Sequence, residues 1–404
     1  MMIELSAGFL PLTDSAILIA AKERGFAEAE GIALDLVRET SWANVRDKLA
    51  VGQFEISHAL APMPIAANLG LTPFDTKLIA PMALGLGGNA VTVSMNLIAK
   101  MQQELAFDML DAKAAGQALA HVVMAKNAEG SRPLQFGVVH PFSGHNFELR
   151  YWLSASGIAP DHGIEIVILP PSLMSDALKT GQIDGYCVGE PWNSVGVAAG
   201  AGRIVTTKSA IWASSPEKVL AVRADWADQN ADTLHKLLRA LYRSAEWCAR
   251  SSNHLDLAEM LSLQGYLGQP IDVILPALDG SILGDAKSAA SPDFFQMHEY
   301  AATFPWQSHA LWFYSQMVRW GYVDHSAPHA EIARRSYRPD IYRTALSGIG
   351  AAVPSANSKV EGSLKQTVAV GASTQFLQLG PDGFFDGATF DPDQLDQYID
   401  RQKP

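Results

Sequence analysis

Cysteine is scarce in this sequence. Cys187 and Cys248 are the only two in 404 residues, too few for a disulfide scaffold or a cysteine metal cluster. Long apolar runs are missing too, and no stretch approaches the roughly 20 apolar residues of a membrane span. Positive charge is in deficit, with 30 Lys and Arg against 42 Asp and Glu and a formal net charge of −12. That balance argues against nucleic acid or an anionic membrane as a direct partner. It leaves room for a small anion, because a local field can oppose the global charge.

Catalytic signatures are also lacking. There is no H-E-x-x-H zinc motif, and no G-x-S-x-G elbow surrounds Ser143. His140, His145 and Glu148 lie close in sequence but match no zinc spacing. Gly85-Leu86-Gly87-Gly88-Asn89-Ala90 is a poor dinucleotide fingerprint and leads into a strand, not a helix. Cys187 falls on a strand expected to be buried and reads as core. The expectation is a non-enzyme with no cofactor and no resident metal.

What is present is a regular alternation of strand and helix. The hydrophobic fraction of 48% is ample for large cores. Strands are expected at Ile3–Phe9, Ile32–Val37, Glu55–Leu60, Lys77–Pro81, Ala90–Ser94, Leu134–Val139, Ile164–Leu169, Gly185–Val188 and Val219–Val222. Asp14 and Ser41 read as helix N-caps, as does Ser143, which places His145 in a helix's first turn. There, free N–H groups and the positive dipole end favour an anion. Met101–Lys126 reads as one or two helices and Phe294–Tyr300 as another. From about residue 351 the chain becomes irregular. The alternation argues for parallel sheets and an α/β class. Ligands in such folds sit beyond the carboxyl ends of strands, where Trp42, His145 and Gly189 fall.

Several stretches resemble one family: GFLPLTDSA, ETSWANVRDKLAVGQFEISHALAPMPIAANLGL, GHNFELRYWL, VILPPSLMSDALKTGQIDGYCVGEPWN, SPEKVLAVRADW and FPWQSHALWFYSQMVRWGY. It is that of the nitrate- and bicarbonate-binding proteins of ABC transporters, with the related cytoplasmic nitrate/nitrite sensor of the NasS type. The matches run in order along nearly the whole chain. The resemblance implies a periplasmic-binding-protein fold of the second type, two α/β lobes that hinge shut on a ligand. Lobe one would be 1–90, resuming over 210–350 with a helical extension packed on it. Lobe two would be 91–209, and 351–404 a wrapping tail.

The resemblance also implies a site: Trp42 in TSW, His145 ahead of RYW, the Gly189 backbone in CVGEPWN and Lys218 in PEK. A fifth position, a glutamine in the family, falls on Asn89, which keeps the amide but shortens the side chain. Nitrate is a planar monoanion with three acceptor oxygens. Lys218 would supply charge, and Trp42, Asn89, His145 and the Gly189 N–H directional donors. Bicarbonate has the same shape plus an O–H that needs an acceptor. Glu190 is the nearest carboxylate in sequence, and the one position where a bicarbonate-type relative would hold a metal such as calcium. Its other reading is structural, bonding the lobe-two backbone.

Two roles follow from the resemblance. A transporter subunit would be exported and would deliver nitrate, nitrite or bicarbonate to a membrane permease. A sensor would sit in the cytoplasm and release an RNA-binding antiterminator when the anion closes it. The segment MMIELSAGFLPLTDSA has neither a Lys- or Arg-led leader nor a lipid-anchor cysteine. Taken at face value, it makes the cytoplasmic sensor the first expectation, with the periplasmic transport subunit as the alternative. Pyrimidine-synthesis enzymes of thiamin metabolism, which share the fold, are a remote third.

Overall fold

A computed structural model describes residues 2–108, 110–282, 289–291, 293–374 and 376–402. Strands β1 (Ile3–Phe9), β2 (Ile32–Arg38), β3 (Ile56–Leu60) and β4 (Leu78–Ala83) open the chain. Then come β5 (Asn89–Ser94), β6 (Leu134–Val138), β7 (Ile164–Ile168), β8 (Gly185–Gly189), β9 (Gly202–Thr207) and β10 (Lys218–Arg223). They form two five-stranded sheets, ordered β2-β1-β3-β10-β4 and β9-β5-β8-β6-β7. The chain crosses from the first sheet to the second after β4, and returns between β9 and β10.

The sheets are mixed, which corrects the expectation of parallel ones. β1 runs parallel to β2 and β3, and β6 parallel to β7 and β8. β5 and β10, the strands that follow the two crossings, lie antiparallel to their neighbours. The geometry explains this. A chain arriving from the other lobe enters at the edge where the parallel strands end, so it must run back the other way. Its first residue then stands beside a strand's last residues. Asn89 lies opposite Gly189, and Lys218 opposite Leu60.

Two of the three expected helix caps are present. Ser41 and Ser143 each accept a hydrogen bond from the backbone N–H three residues on, capping helices Trp42–Ala50 and Gly144–Ala155. Met101–Lys126 resolves into two helices, Met95–Glu104 and Ala112–Ala128; residue 109, between them, lies outside the described residues. Asp14 is not a cap. It sits in a short 3-10 turn and its side chain turns inward.

The expected helix at Phe294–Tyr300 is instead a two-residue strand, Phe295–Gln296, followed by the 3-10 turn Glu299–Ala301. Phe295–Gln296 pairs with Leu86–Gly87 in the first crossing. Gly87 has φ of +77°, and a Cβ there would fall 2.3 Å from the Phe294 carbonyl oxygen, so pairing this close requires glycine.

The extension does not rest on lobe one alone. Helix Ala231–Ala249 packs against Ala16–Glu23, where Ser244 Oγ donates to the Ile17 carbonyl at 2.7 Å. Helix Gln307–Arg319 instead lies on the lobe-two helix Gly144–Ala155. Phe313 meets Phe147, and Arg319 donates to Ser154 Oγ at 2.7 Å. Burial of aromatic surface decides this, because Phe147, Tyr151 and Trp152 offer lobe two an apolar face that needs covering.

Candidate functional site

The ends of β1 and β8, the starts of β5 and β10, and two helix starts converge where the lobes touch. Trp42, Asn89, His145 and Lys218 are all buried there. Lys218 Nζ lies 5.3 Å from the Trp42 ring centre. A Cβ on Gly189 would stand 3.0 Å from Asn89 Oδ1 and 3.4 Å from Asp14 Oδ2. Asp14 Oδ2 in turn accepts from Lys218 Nζ at 2.6 Å. His145 joins through Glu217, whose Oε1 lies 2.9 Å from His145 Nδ1 and accepts from Lys218 at 3.1 Å. All five sequence-derived positions therefore belong to one connected group.

Their polar atoms are incompletely used. Trp42 Nε1, His145 Nε2 and both amide atoms of Asn89 are buried and make no hydrogen bond within the protein. Each such orphan costs roughly 1–3 kcal/mol. Most buried polar atoms in folded proteins are partnered, so several unpartnered donors beside one lysine are a place where a ligand would be satisfied.

Lys218 does not supply a free charge, as the sequence reading expected. Asp14 and Glu217 both hold it. Burial alone would raise the Asp14 carboxyl, but Lys218 and His58 outweigh it and hold it below the usual carboxylate range. Glu217 is likewise pushed up by burial, and His145, Lys208 and Lys218 bring it well below its ordinary value.

His58, in mid-β3, places Nε2 2.9 Å from Asp14 Oδ1, and its ring centre lies 5.4 Å from that of Trp42. Burial lowers both His58 and His145, so both rings are neutral near pH 7. Behind them, Lys208 Nζ joins Glu217 to Glu148, and Ser215 Oγ donates to Glu148. Burial raises Glu148 to about 7.

Sequence reasoning missed Asp14, His58, Glu217, Lys208 and Glu148. Two of them left a signal: His58 is a histidine inside the apolar strand ISHAL, and Glu217 stands beside the Lys in PEK. Glu190 is bonded locally. Its Oε2 accepts from the Ser194 N–H at 3.0 Å, at the start of helix Trp192–Ala198. Among the described residues, no group of three or more His, Cys, Asp or Glu is placed to hold a metal ion.

The lobes touch beside this group. Thr13 N–H donates to the Glu190 carbonyl at 2.7 Å, and Trp192 Nε1 to the Pro11 carbonyl at 3.2 Å.

A model of the NMT1-like family matches residues 3–262, well over half of the sequence. The chain belongs to the NMT1-like family. It is 32% identical over 412 residues to the nitrate/nitrite binding protein NrtA of Synechococcus elongatus, covering 99% of this chain and 86% of that relative. It is also 33% identical over 354 residues to the nitrate import ATP-binding protein NrtC of Synechocystis sp., covering 86% of this chain. The chain spans about half the length of that second relative, 50%. Among solved structures, the periplasmic nitrate-binding protein NrtA from Synechocystis superposes with a TM-score of 0.85. The identity there is 27%, and the match covers 100% of this chain and 99% of the other. This NMT1-like chain therefore has the mixed α/β fold of the periplasmic-binding-protein-like solute-binding proteins. No helix among its described residues is long and apolar enough to cross a membrane.

Proposed function

We propose that this protein is the substrate-binding component of an ABC importer and holds nitrate or nitrite between its lobes. Residues 1–90 with 210–350 form lobe one in this reading, 91–209 lobe two and 351–404 a tail. The observation that carries it is the set of orphaned donors at Trp42, Asn89 and His145, gathered around Lys218 beside the side-chain-free backbone of Gly189. A flat oxyanion satisfies several N–H groups at once, which no protein group nearby does. The partner is a membrane permease and the location periplasmic, in keeping with relatives whose names are those of nitrate import. Those names favour transport over the cytoplasmic sensor with its antiterminator partner, the first expectation from the sequence. That expectation rested on where the chain begins, which does not locate a protein.

Bicarbonate is a second reading, and one feature favours it. The Asp14 and Glu217 carboxylates lie within the group and could accept its O–H. Calorimetric titration with nitrate, nitrite and bicarbonate separates the three. Nitrate or nitrite is expected to bind the more tightly. Trp42→Phe, which keeps an aromatic face but removes an N–H that has no partner in the protein, should weaken nitrate binding roughly tenfold, with a modest loss of stability from the smaller buried side chain. Unchanged affinity in that variant would remove Trp42 from the site. Binding of bicarbonate alone would overturn the nitrate reading.

A further inference from the structure

The charges around this site already balance, and that has a chemical consequence. Two ammonium groups, Lys208 and Lys218, face two carboxylates held ionised, Asp14 and Glu217. Both histidines of the group are neutral. Glu148, poised about 7, adds a fraction of negative charge beside Lys208. All these side chains are buried. A monoanion brought among them leaves an unmatched negative charge away from water, and such a charge is neutralised by proton uptake wherever a group can accept one.

We propose that the site takes up one proton with each anion it binds, and that the proton goes to His58. This rests on the reading of the site as an anion site given above. His58 already has a carboxylate 2.9 Å from Nε2, so its imidazolium needs no new partner. The charged groups bearing on its ring are Asp14, from the turn after β1, and Glu217 and Lys218, at the entry to β10. That is two carboxylates against one ammonium. The remaining neighbour, Trp42 on helix Trp42–Ala50, presents an uncharged ring.

His145 is placed less well. Its one carboxylate, Glu217, is shared with Lys208 and Lys218, and both ammonium groups oppose a third cation there. Glu148 is already held by Lys208 and Ser215, and Lys208 links it to Glu217 rather than to Asp14 or Lys218. Once protonated, His58 would add a second cation to the Lys218 side of the site and turn a balanced group into an anion receptor.

The test is nitrate titration of the whole protein at about pH 7.5 in two buffers of different ionisation enthalpy. The difference in heat counts protons. About one proton per nitrate is expected for the wild type, and the dissociation constant should rise about tenfold per pH unit above neutrality. Glu148→Gln should keep that uptake. His58→Gln should lose it and bind nitrate more weakly, with an affinity flat across the same range. Ring-carbon NMR of the unmodified protein gives an independent reading, because nitrate should move the His58 signals to their imidazolium positions. Nitrate binding without proton uptake overturns the proposal, as does uptake that survives in His58→Gln. Absence of nitrate binding in the wild type overturns the anion-site reading and this proposal together.

Discussion

Glu190 illustrates how burial sets chemistry at a single residue. Its carboxyl is raised from an ordinary 4.5 to about 7, chiefly by burial, against the hydrogen bonds of Ser194 and Asn193. The folded protein therefore binds its proton more tightly than the unfolded chain does. The stability this contributes is full below about pH 4.5 and is lost as pH rises through about 7. Glutamine cannot ionise, so Glu190→Gln should gain stability relative to the wild type as pH rises from about 5 to about 8, by up to about 3 kcal/mol. Melting temperatures of the two proteins across that range check it, and a constant difference would refute it. Asp14 shows a different lesson. As a residue near a helix start it reads as a cap, yet it spends its side chain on Lys218, 204 positions away. No local pattern encodes that pairing.

At the scale of the element, helix Gly144–Ala155 carries the most legible signal. Ser143 Oγ accepts from the Asn146 N–H at 3.0 Å and donates to the His140 carbonyl at 2.7 Å. The cap fixes the first turn and with it the direction of His145. Ser143→Ala should cost about 1–2 kcal/mol of stability and weaken nitrate binding with it, read from a denaturant midpoint and a titration. An unchanged midpoint would show that tertiary packing alone sets this helix start. Caps and strand periodicity were readable because they depend on residues three or four apart. The sense of β5 and β10 was not, because it follows from which sheet a strand enters after a crossing. The stretch Phe294–Tyr300 failed for a similar reason, since its aromatic residues suit a helix equally well but pair with Leu86–Gly87.

For the molecule as a whole, the site is sealed. The side chains of His58, His145 and Lys218 are fully buried, with 0% of each exposed, so the anion proposed for this site would enter only if the lobes part. Two helices of the later chain, through Ser244 and Arg319, bond to Ile17 on one side of the lobe contact and to Ser154 on the other. Nitrate should therefore slow hydrogen exchange at the lobe contact, at the amide of Thr13 and around Trp192, more than in the outer strands. Exchange unaltered at Thr13 would argue that the lobes do not open there.

The sequence by itself determined the α/β class and the Ser41 and Ser143 caps, because periodicity and capping are local, while Trp42, Asn89, His145, Gly189 and Lys218 were picked out by resemblance to a family. Only the tertiary structure decided that Lys218 arrives already matched by Asp14 and Glu217, and that His58 stands against the same carboxylate. Charge balance in a buried site is a sum over groups far apart in the chain, and folding alone brings its terms together.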